Sequence, residues 1–418
     1  MPPASPDRMS PLEIRASLSL ASIFALRMLG LFLILPVFAV HAMQIEGGNN
    51  HTLVGIALGT YGLTQAMLQI PYGMASDVYG RKRTIIFGLL LFALGSFIAA
   101  VGSNIYVIIL GRAVQGAGAI SAPVMAFLSD LTREQHRTKA MALVGSSIGL
   151  MFALSLVGSP LLYRCIGMGG IFALTGLLAL AAIWVVVSVV PKERAGKVEP
   201  EEQVEPARLR DVLRNPDLLR LNLGIFSLHA VQMAIFVVVP LALVSAGGLP
   251  VGEHWKVYLP VVLASFVLML PAIIYAEKKD AIKPVFLSCI GLMAVVQTGF
   301  VFELQNFTAV VILLLGFFVA FNILEATLPS LVSRTAPARA KGAALGVYNT
   351  TQSLGLFVGG AAGGWLMQHH GRTPVFMFGA ALITLWGIAA ATMRVPQRAR
   401  RRNAATVGGA ALGDGTAR

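Results

Sequence analysis

Four ionisable side chains stand inside long apolar runs of this sequence: Arg27, Arg112, His229 and Glu325. A charge in the middle of a membrane costs at least about 2.5–3.5 kcal/mol, so each residue needs a partner, a wet cavity or a change of charge. A buried carboxylate or a histidine can take up and release protons, and an arginine changes the acidity of a carboxylate near it. These residue types therefore indicate proton transfer or charge pairing.

Each of these residues has an alternative interpretation. We favour Glu325 as a proton carrier, but it could form a static ion pair with Arg27 or Arg112, and His229 could be a hydrogen-bonded packing residue. A second set of polar residues could line a substrate cavity or join neighbouring helices by hydrogen bonds. This set is Tyr61, Gln65, Gln69, Gln232, Asn322, Asn349 and Gln352.

The elements that must hold these residues are membrane helices. The chain is 56% apolar and only 12% charged, with a mean hydropathy of +0.76, which excludes a water-soluble globular protein. Twelve apolar runs approach the length of about 20 residues that a helix needs to cross the hydrocarbon. The sequence thus predicts an all-α membrane protein with transmembrane helices at 18–41, 52–76, 84–102, 105–130, 140–163, 169–191, 219–246, 255–276, 284–303, 306–331, 342–368 and 373–394.

The longest polar segment divides the chain into two similar halves. We expect a first six-helix bundle at 1–191, a cytoplasmic linker at 192–217, a second six-helix bundle at 218–395 and a disordered tail at 396–418. Segment 23–27 resembles segment 225–229 at a spacing that also relates 137–139 to 339–341. A duplicated unit of six helices explains these matches and predicts a substrate site between two pseudo-symmetric bundles.

The positions of the cations predict the orientation. Of 32 Lys and Arg residues, two lie inside predicted helices, three lie near one face (Arg164, Lys256 and Arg372), and 27 lie at the other face. The positive-inside rule then places both termini and the linker in the cytoplasm. Orientation also explains the net charge of +13, so we expect no nucleic-acid partner.

A charged turn joins the second and third apolar runs, with Gly73, Asp77, Gly80 and Arg81 at fixed spacing. Asp77 can accept hydrogen bonds from the free N–H groups at a helix N-terminus, and Arg81 can pair with Asp130 at the end of the fourth run. We interpret these residues as a conformational latch. The alternative is a tight turn whose charges only set the topology.

Segments 73–83 and 112–119 resemble two signature motifs of the major facilitator superfamily. Segments 26–30, 129–135, 254–258 and 274–277 are similar to the YajR-like group of drug–proton antiporters within it. A protein of that group carries an extra soluble C-terminal domain, which we do not expect here because only about two dozen Ala-, Gly- and Arg-rich residues follow Met393.

The resemblance implies a central cavity lined by helices one, four, seven and ten, so that Arg27, Arg112, His229 and Glu325 would all face it. It implies a proton-coupling role for Arg112. It also implies that the latch braces the outward-open state against helix eleven, near Gly342. The family's antiporter signature in helix five ends in Gly-Pro and a glycine pair, whereas this chain reads Gly-Ser-Pro-Leu-Leu at 158–162, which weakens antiport relative to symport or uniport.

The resemblance favours proton-coupled efflux of drug-like or metabolite molecules by alternating access, in a monomer of the bacterial inner membrane. One alternative is a proton-coupled importer of a nutrient or organic acid, and another is a membrane sensor that does not transport. The sequence has no phosphate-binding GxxxxGK[ST] loop, no HExxH and no nucleophile elbow, and its two cysteines form no CxxC. We therefore expect no enzyme activity, no cofactor and no metal; the partners are a small-molecule substrate, protons and the lipid bilayer.

Overall fold

Helices form nearly all of the secondary structure. The computed structural model describes residues 9–191, 209–279, 281–337 and 340–393. Within these ranges the β-structure is one isolated bridge between Glu46 and Asn104. The α-helices are α1 (Pro11–Phe32), α2 (Leu35–Ala42), α3 (His51–Tyr79), α4 (Arg81–Ala100), α5 (Ile105–Ala117), α6 (Ser121–Leu131), α7 (Glu134–Ser188), α8 (Leu209–Arg214), α9 (Pro216–Gly247), α10 (Trp255–Lys278), α11 (Ile282–Glu303), α12 (Phe307–Thr335), α13 (Lys341–His370) and α14 (Thr373–Ala391).

Ten helical segments of the described chain are long and apolar enough to cross a membrane. One of them lies in α7, a 55-residue helix interrupted at Gly167, whose backbone is not helical (φ +67°). This interruption divides α7 into two crossings, and the glycine-rich, 30-residue helix α13 adds another. The predicted fold of twelve transmembrane helices is therefore confirmed.

The structure describes part of the predicted linker and none of the predicted tail. The predicted linker contains the short helix α8, and α9 already begins at Pro216. The predicted tail, 396–418, lies outside the described residues. A helix within the linker was missed because six residues carry too little apolar periodicity to be recognised.

Two crossings are each built from two helices. The first bends between α1 and α2 at Leu33, and the fourth bends between α5 and α6 at Gly118. A Cβ atom at Gly118 would lie 2.3 Å from the backbone oxygen of Gly88 in α4, so only glycine permits this approach. The bend in the fourth crossing places Arg112 of α5 and Ser121 of α6 on either side of an irregular turn.

Hydrogen bonds define one face of the first bundle, which we name the terminal face because α1 begins there. Arg15 Nε donates to the Val189 backbone oxygen, and Lys82 Nζ donates to that of Val190. These bonds join the beginnings of α1 and α4 to the end of α7. The face at which α3 begins and α13 ends is named the opposite face.

The two bundles make their closest contact in the half of the molecule near the opposite face. A Cβ atom at Gly55 in α3 would lie 2.0 Å from the backbone oxygen of Gly360 in α13, and one at Gly364 would lie 2.3 Å from that of His51. The His51 backbone N–H also donates to Gln368 Oε1 at 2.7 Å. By contrast, a Cβ atom at Gly346, near the start of α13, would have nothing within 4 Å.

The apolar cores follow the same division. One core runs continuously from the second bundle into opposite-face residues of the first, such as Phe38 and Phe152. A second core contains only first-bundle residues, including Leu20, Phe127 and Ala182, and fills that bundle near the terminal face. The bundles thus share a core at the opposite face and have separate packing toward the terminal face.

Candidate functional site: a central cavity with buried charges

A cavity of about 80 Å³ lies where the two bundles meet. This volume is well below the roughly 300–1,000 Å³ of pockets that enclose a drug-sized ligand. In this conformation the cavity can hold waters or one small chemical group. Its lining is Phe24, Met28, Leu31, Phe32, Leu35, Leu58, Tyr61, Gln65, Arg112, Ser121, Ile148, His229, Met233, Asn349, Gln352, Ser353 and Leu356.

Arg112 lines the cavity from α5 and is only 1% exposed. Its Nε and one terminal nitrogen donate to the backbone oxygens of Ala57 and Leu58 in α3, each at 3.3 Å. Its other terminal nitrogen donates to Gln115 Oε1 at 3.0 Å. All three acceptors are uncharged, so these bonds hold the guanidinium in place without neutralising it.

Arg27 lies in α1, behind the cavity wall, and is also 1% exposed. It donates to Ser121 Oγ at 3.2 Å and to Gln65 Oε1 at 2.9 Å, and both of these residues line the cavity. Gln65 Nε2 then donates to Ser353 Oγ in α13 at 3.0 Å. A chain of hydrogen bonds therefore connects a buried cation of the first bundle to the second bundle.

Glu325 lies in α12, inside the second bundle. Its Oε2 is 3.9 Å from Nε2 of His229 in α9 and has no hydrogen-bond partner within the described chain. The same His229 nitrogen is 2.7 Å from Nε2 of Gln352, while His229 Nδ1 lies 3.2 Å from the backbone oxygen of Ile225. The Glu325 side chain is 30% exposed, so it has one buried oxygen and a part that no other residue covers.

The static ion pairs considered from the sequence are absent from the described residues. Neither Arg27 nor Arg112 has a carboxylate oxygen within 4 Å there. Glu325 points toward His229 instead, because both α9 and α12 belong to the second bundle and pack directly together. Of the four ionisable residues expected to face the cavity, Arg112 and His229 line it in this conformation, whereas Arg27 and Glu325 are not among its lining residues.

The predicted polar lining is also divided. Tyr61, Gln65, Asn349 and Gln352 line the cavity, whereas Gln69, Gln232 and Asn322 do not. Asn322 lies on the side of α12 that faces α10, where its amide nitrogen donates to Ser265 Oγ at 3.1 Å. For Asn322, this contact agrees with the alternative interpretation, in which a polar residue joins neighbouring helices by a hydrogen bond.

The charged turn brings Arg81 to Asp130: Arg81 Nε donates to Asp130 Oδ2 at 2.9 Å. Arg81 also pairs with Asp77 and donates to Ser76 Oγ at 2.6 Å. The Asp77 side chain is 63% exposed, and no described residue of α13 forms a hydrogen bond with it. A Cβ atom at Gly342 would likewise meet nothing within 4 Å, so the turn is not braced against helix α13 in this conformation.

Sequence reasoning missed Ser121 and Ser353, which complete the hydrogen bonds between Arg27 and the second bundle. Ser353 follows Asn349 by one helical turn, a spacing that could have revealed it. It also missed Glu13, which is 3% exposed and accepts hydrogen bonds from the backbone and the guanidinium of Arg133. The pattern Ser-Pro-Leu-Glu at 10–13 is a helix-capping box and was the available signal.

Comparison with known proteins agrees with this architecture. The chain is 46% identical over 389 residues to the inner membrane transport protein YajR of Escherichia coli K12, covering 93% of this chain and 85% of that protein. It is 27% identical to the multidrug resistance protein MdtH of Yersinia enterocolitica, covering 86% and 90%. The solved structure of a D-xylose–proton symporter superposes with a TM-score of 0.70 at 16% identity, covering 91% and 98% of the two chains.

The sequence pattern of the Major Facilitator Superfamily matches residues 20–360 and 261–413, which together span most of the chain. The similarity to the E. coli YajR protein, which covers 93% of this chain, indicates the same family. Proteins of this family move small molecules across membranes and are not enzymes. With twelve crossings in two bundles around a central cavity, this chain belongs to the major facilitator superfamily and is a YajR-like membrane transporter.

Proposed function

We propose that this transporter exports drug-like or metabolite molecules by alternating access, and that Glu325 carries the coupled proton. The observation that carries this proposal is the Glu325 carboxylate, which has one buried, unpartnered oxygen next to His229 and remains 30% accessible. A carboxylate in a membrane must be protonated or paired with a cation. Where no cation pairs with it, the protonated form has the lower free energy. The names of its relatives, a multidrug resistance protein among them, support export.

Transport by purified protein in liposomes tests the proton carrier. We expect Glu325→Gln to abolish cargo accumulation driven by an imposed pH gradient, because glutamine cannot bind and release a proton. Exchange of labelled for unlabelled cargo, which needs no net proton movement, should continue. The matched control is Glu303→Gln, since Glu303 lies exposed at the end of α11. Full gradient-driven flux in Glu325→Gln would show that another group carries the proton.

We propose further that the terminal face is cytoplasmic, as the distribution of Lys and Arg predicts. On this orientation the described conformation is closed to the outside. The native Cys165, which is exposed and adjacent to the interruption of α7, provides a test. A membrane-impermeant maleimide should label it from the outside of intact spheroplasts, and Cys165→Ala should remove the label. Labelling only after the membrane is permeabilised would reverse the orientation.

We propose that the charged turn acts as the latch of the outward-open state, with Asp77 reaching the start of α13 when the terminal faces close. Its exposed carboxylate is available for that contact. Asp77→Asn should then increase the population with terminal faces apart, measured as distances between spin labels on the two bundles. The control is Asp217→Asn, which removes a carboxylate that pairs within α9. Unchanged distance distributions in Asp77→Asn would refute the latch.

Import of an organic acid with protons is the second candidate, because two buried arginines make the surroundings of the cavity cationic. The direction is decided by imposing the pH gradient with either sign. Accumulation of cargo on the acidic side indicates exchange for protons and hence export, whereas accumulation on the alkaline side indicates entry with protons.

A further inference from the structure

Two buried guanidinium groups flank one aromatic ring at the cavity. The central carbon of Arg27 lies 5.6 Å from the centre of the Tyr61 ring, and that of Arg112 lies 5.0 Å from it. The acceptors of both arginines are amides, a hydroxyl and backbone oxygens, and no carboxylate of the described chain lies within 4 Å of either. This cluster is therefore strongly cationic and has no internal counter-charge.

The same cluster has polar groups without partners. The Tyr61 hydroxyl and Arg27 Nε are buried and form no hydrogen bond within the described chain. The three bonds made by Arg112 leave two of the five N–H groups that a guanidinium carries. Buried polar groups normally find partners, so unused donors that converge near one cavity indicate a missing acceptor.

We propose that the cavity binds a small anionic group, of the size of a carboxylate or a halide, between Arg112 and the Tyr61 hydroxyl. Both residues line the cavity, and each has N–H or O–H groups that form no hydrogen bond within the described chain. Arg27 acts from behind the wall, through its field and through Gln65 and Ser121, which it orients by hydrogen bonds. The anion supplies the negative charge that two buried cations in a low-dielectric site require.

The cavity volume limits what this site holds. About 80 Å³ accommodates a halide or a carboxylate but not an entire drug-like molecule. The anionic group therefore has two possible sources. It is either a free anion, or the acidic end of a cargo whose remainder enters when the bundles move apart. Only the second source depends on the proposed transport function, and anion binding itself can be measured without transport.

Thermal unfolding of the purified wild-type protein in detergent measures this binding. The probes are sodium chloride, acetate and benzoate, each titrated at constant ionic strength against MES, a bulky sulfonate that carries no carboxylate. We expect the melting temperature to rise saturably with at least one probe, because a ligand that binds only the folded state stabilises it. Saturation by chloride identifies a free anion as the source, and a response to the carboxylates alone identifies an acidic cargo group.

Isosteric Gln→Glu substitutions give the arginine cluster the negative charge that it lacks. Gln115→Glu would place a carboxylate against Arg112, and Gln65→Glu would place one against Arg27. Each variant should melt above the wild type in the MES reference buffer and should bind the anion at least about tenfold more weakly, because a charged hydrogen bond contributes that much or more. Tyr61→Phe, which removes only the hydroxyl, should weaken binding while preserving the ring.

The matched control is Gln297→Glu. Gln297 is 1% exposed in α11 and forms no hydrogen bond with an arginine of the described chain, so the same substitution should lower the melting temperature and leave the anion response intact. The proposal is overturned if the wild type shows no anion-dependent stabilisation, or if Gln115→Glu and Gln65→Glu both keep the wild-type response. If this proposal fails, the test of Glu325 remains valid, because that test measures proton-driven flux and not anion binding.

Discussion

Replacing Gly360 with alanine should open the opposite face. An ideal Cβ atom at this position would lie 2.5 Å from the backbone oxygen of Gly55, 3.1 Å from the nitrogen of Gly59 and 3.2 Å from its α-carbon. All three are backbone atoms of α3, so no side-chain rotation can relieve the overlap. Helices α3 and α13 must instead separate by at least about half an ångström, since non-bonded carbon and oxygen atoms rarely approach within 3.0 Å.

Overpacking of this kind typically costs about 1–3 kcal/mol. The cost applies only to conformations in which the opposite faces touch, so it changes the conformational equilibrium more than the stability of each bundle. A differential of that size corresponds to a population shift of about 5- to 150-fold. We therefore expect Gly360→Ala to convert much of the closed population into one in which the opposite faces are apart.

Distances between pairs of spin labels measure the shift. One pair, Tyr106→Cys with Phe302→Cys, joins exposed positions at the opposite face of the two bundles. A second pair, Val187→Cys with Lys279→Cys, does the same at the terminal face. Both are introduced after the native cysteines have been replaced with alanine. Gly360→Ala should lengthen the first distance and shorten the second.

The control is Gly291→Ala in α11, where an added Cβ atom would meet nothing within 4 Å. It makes the same change in helix propensity without the steric conflict. If Gly360→Ala itself prevents folding, Gly59→Ala provides a milder test, because its Cβ atom would lie 2.8 Å from the backbone oxygen of Phe357. Distance distributions that match those of Gly291→Ala in both variants would refute the reasoning.

Two further predictions concern stability, measured by thermal unfolding in detergent. Glu13→Gln should destabilise the protein by about 1–3 kcal/mol, because Arg133 donates three charge-assisted hydrogen bonds to this buried carboxylate. The exposed acid Glu253 is the control, and Glu253→Gln should change stability by at most about 1 kcal/mol; equal effects would contradict the burial argument. Gly167→Ala should cost about 1–3 kcal/mol through backbone strain alone, since φ is +67° and no atom lies within 4 Å of the added Cβ atom. An unchanged melting temperature would show that α7 can relax there.

The fold could be predicted from run lengths and charges because a membrane allows few alternatives. A run of about 20 apolar residues that must satisfy its own backbone can only be a crossing helix. The pairing of Arg81 with Asp130 could be predicted for a similar reason, since both residues stand at helix ends on the same face. Neither prediction required knowing how a helix is rotated about its own axis.

To predict which residues line the cavity, the rotation of each helix about its own axis must be known. Helices α9 and α12 are apolar on all sides, so their sequences do not show which side faces a neighbour. Sequence reasoning therefore could not show that Glu325 would face His229 while Asn322, less than one turn away, would face Ser265. The interruption at Gly118 was missed for a different reason, because its cause is the close approach of Gly88 in another helix.

The contact between α3 and α13 also has a consequence for turnover. Around Gly55, Gly360 and Gly364 it is made by glycines and backbone atoms, so these positions have no side chains of their own to immobilise. Elsewhere, each flexible side chain that an interface orders costs about 0.5–1.5 kcal/mol, and breaking the interface returns that entropy. The glycine part of this seal does not add to that cost when it closes. The rate at which the transporter cycles can then be governed by events in the cavity, such as release of cargo or of a proton, rather than by the outer seal.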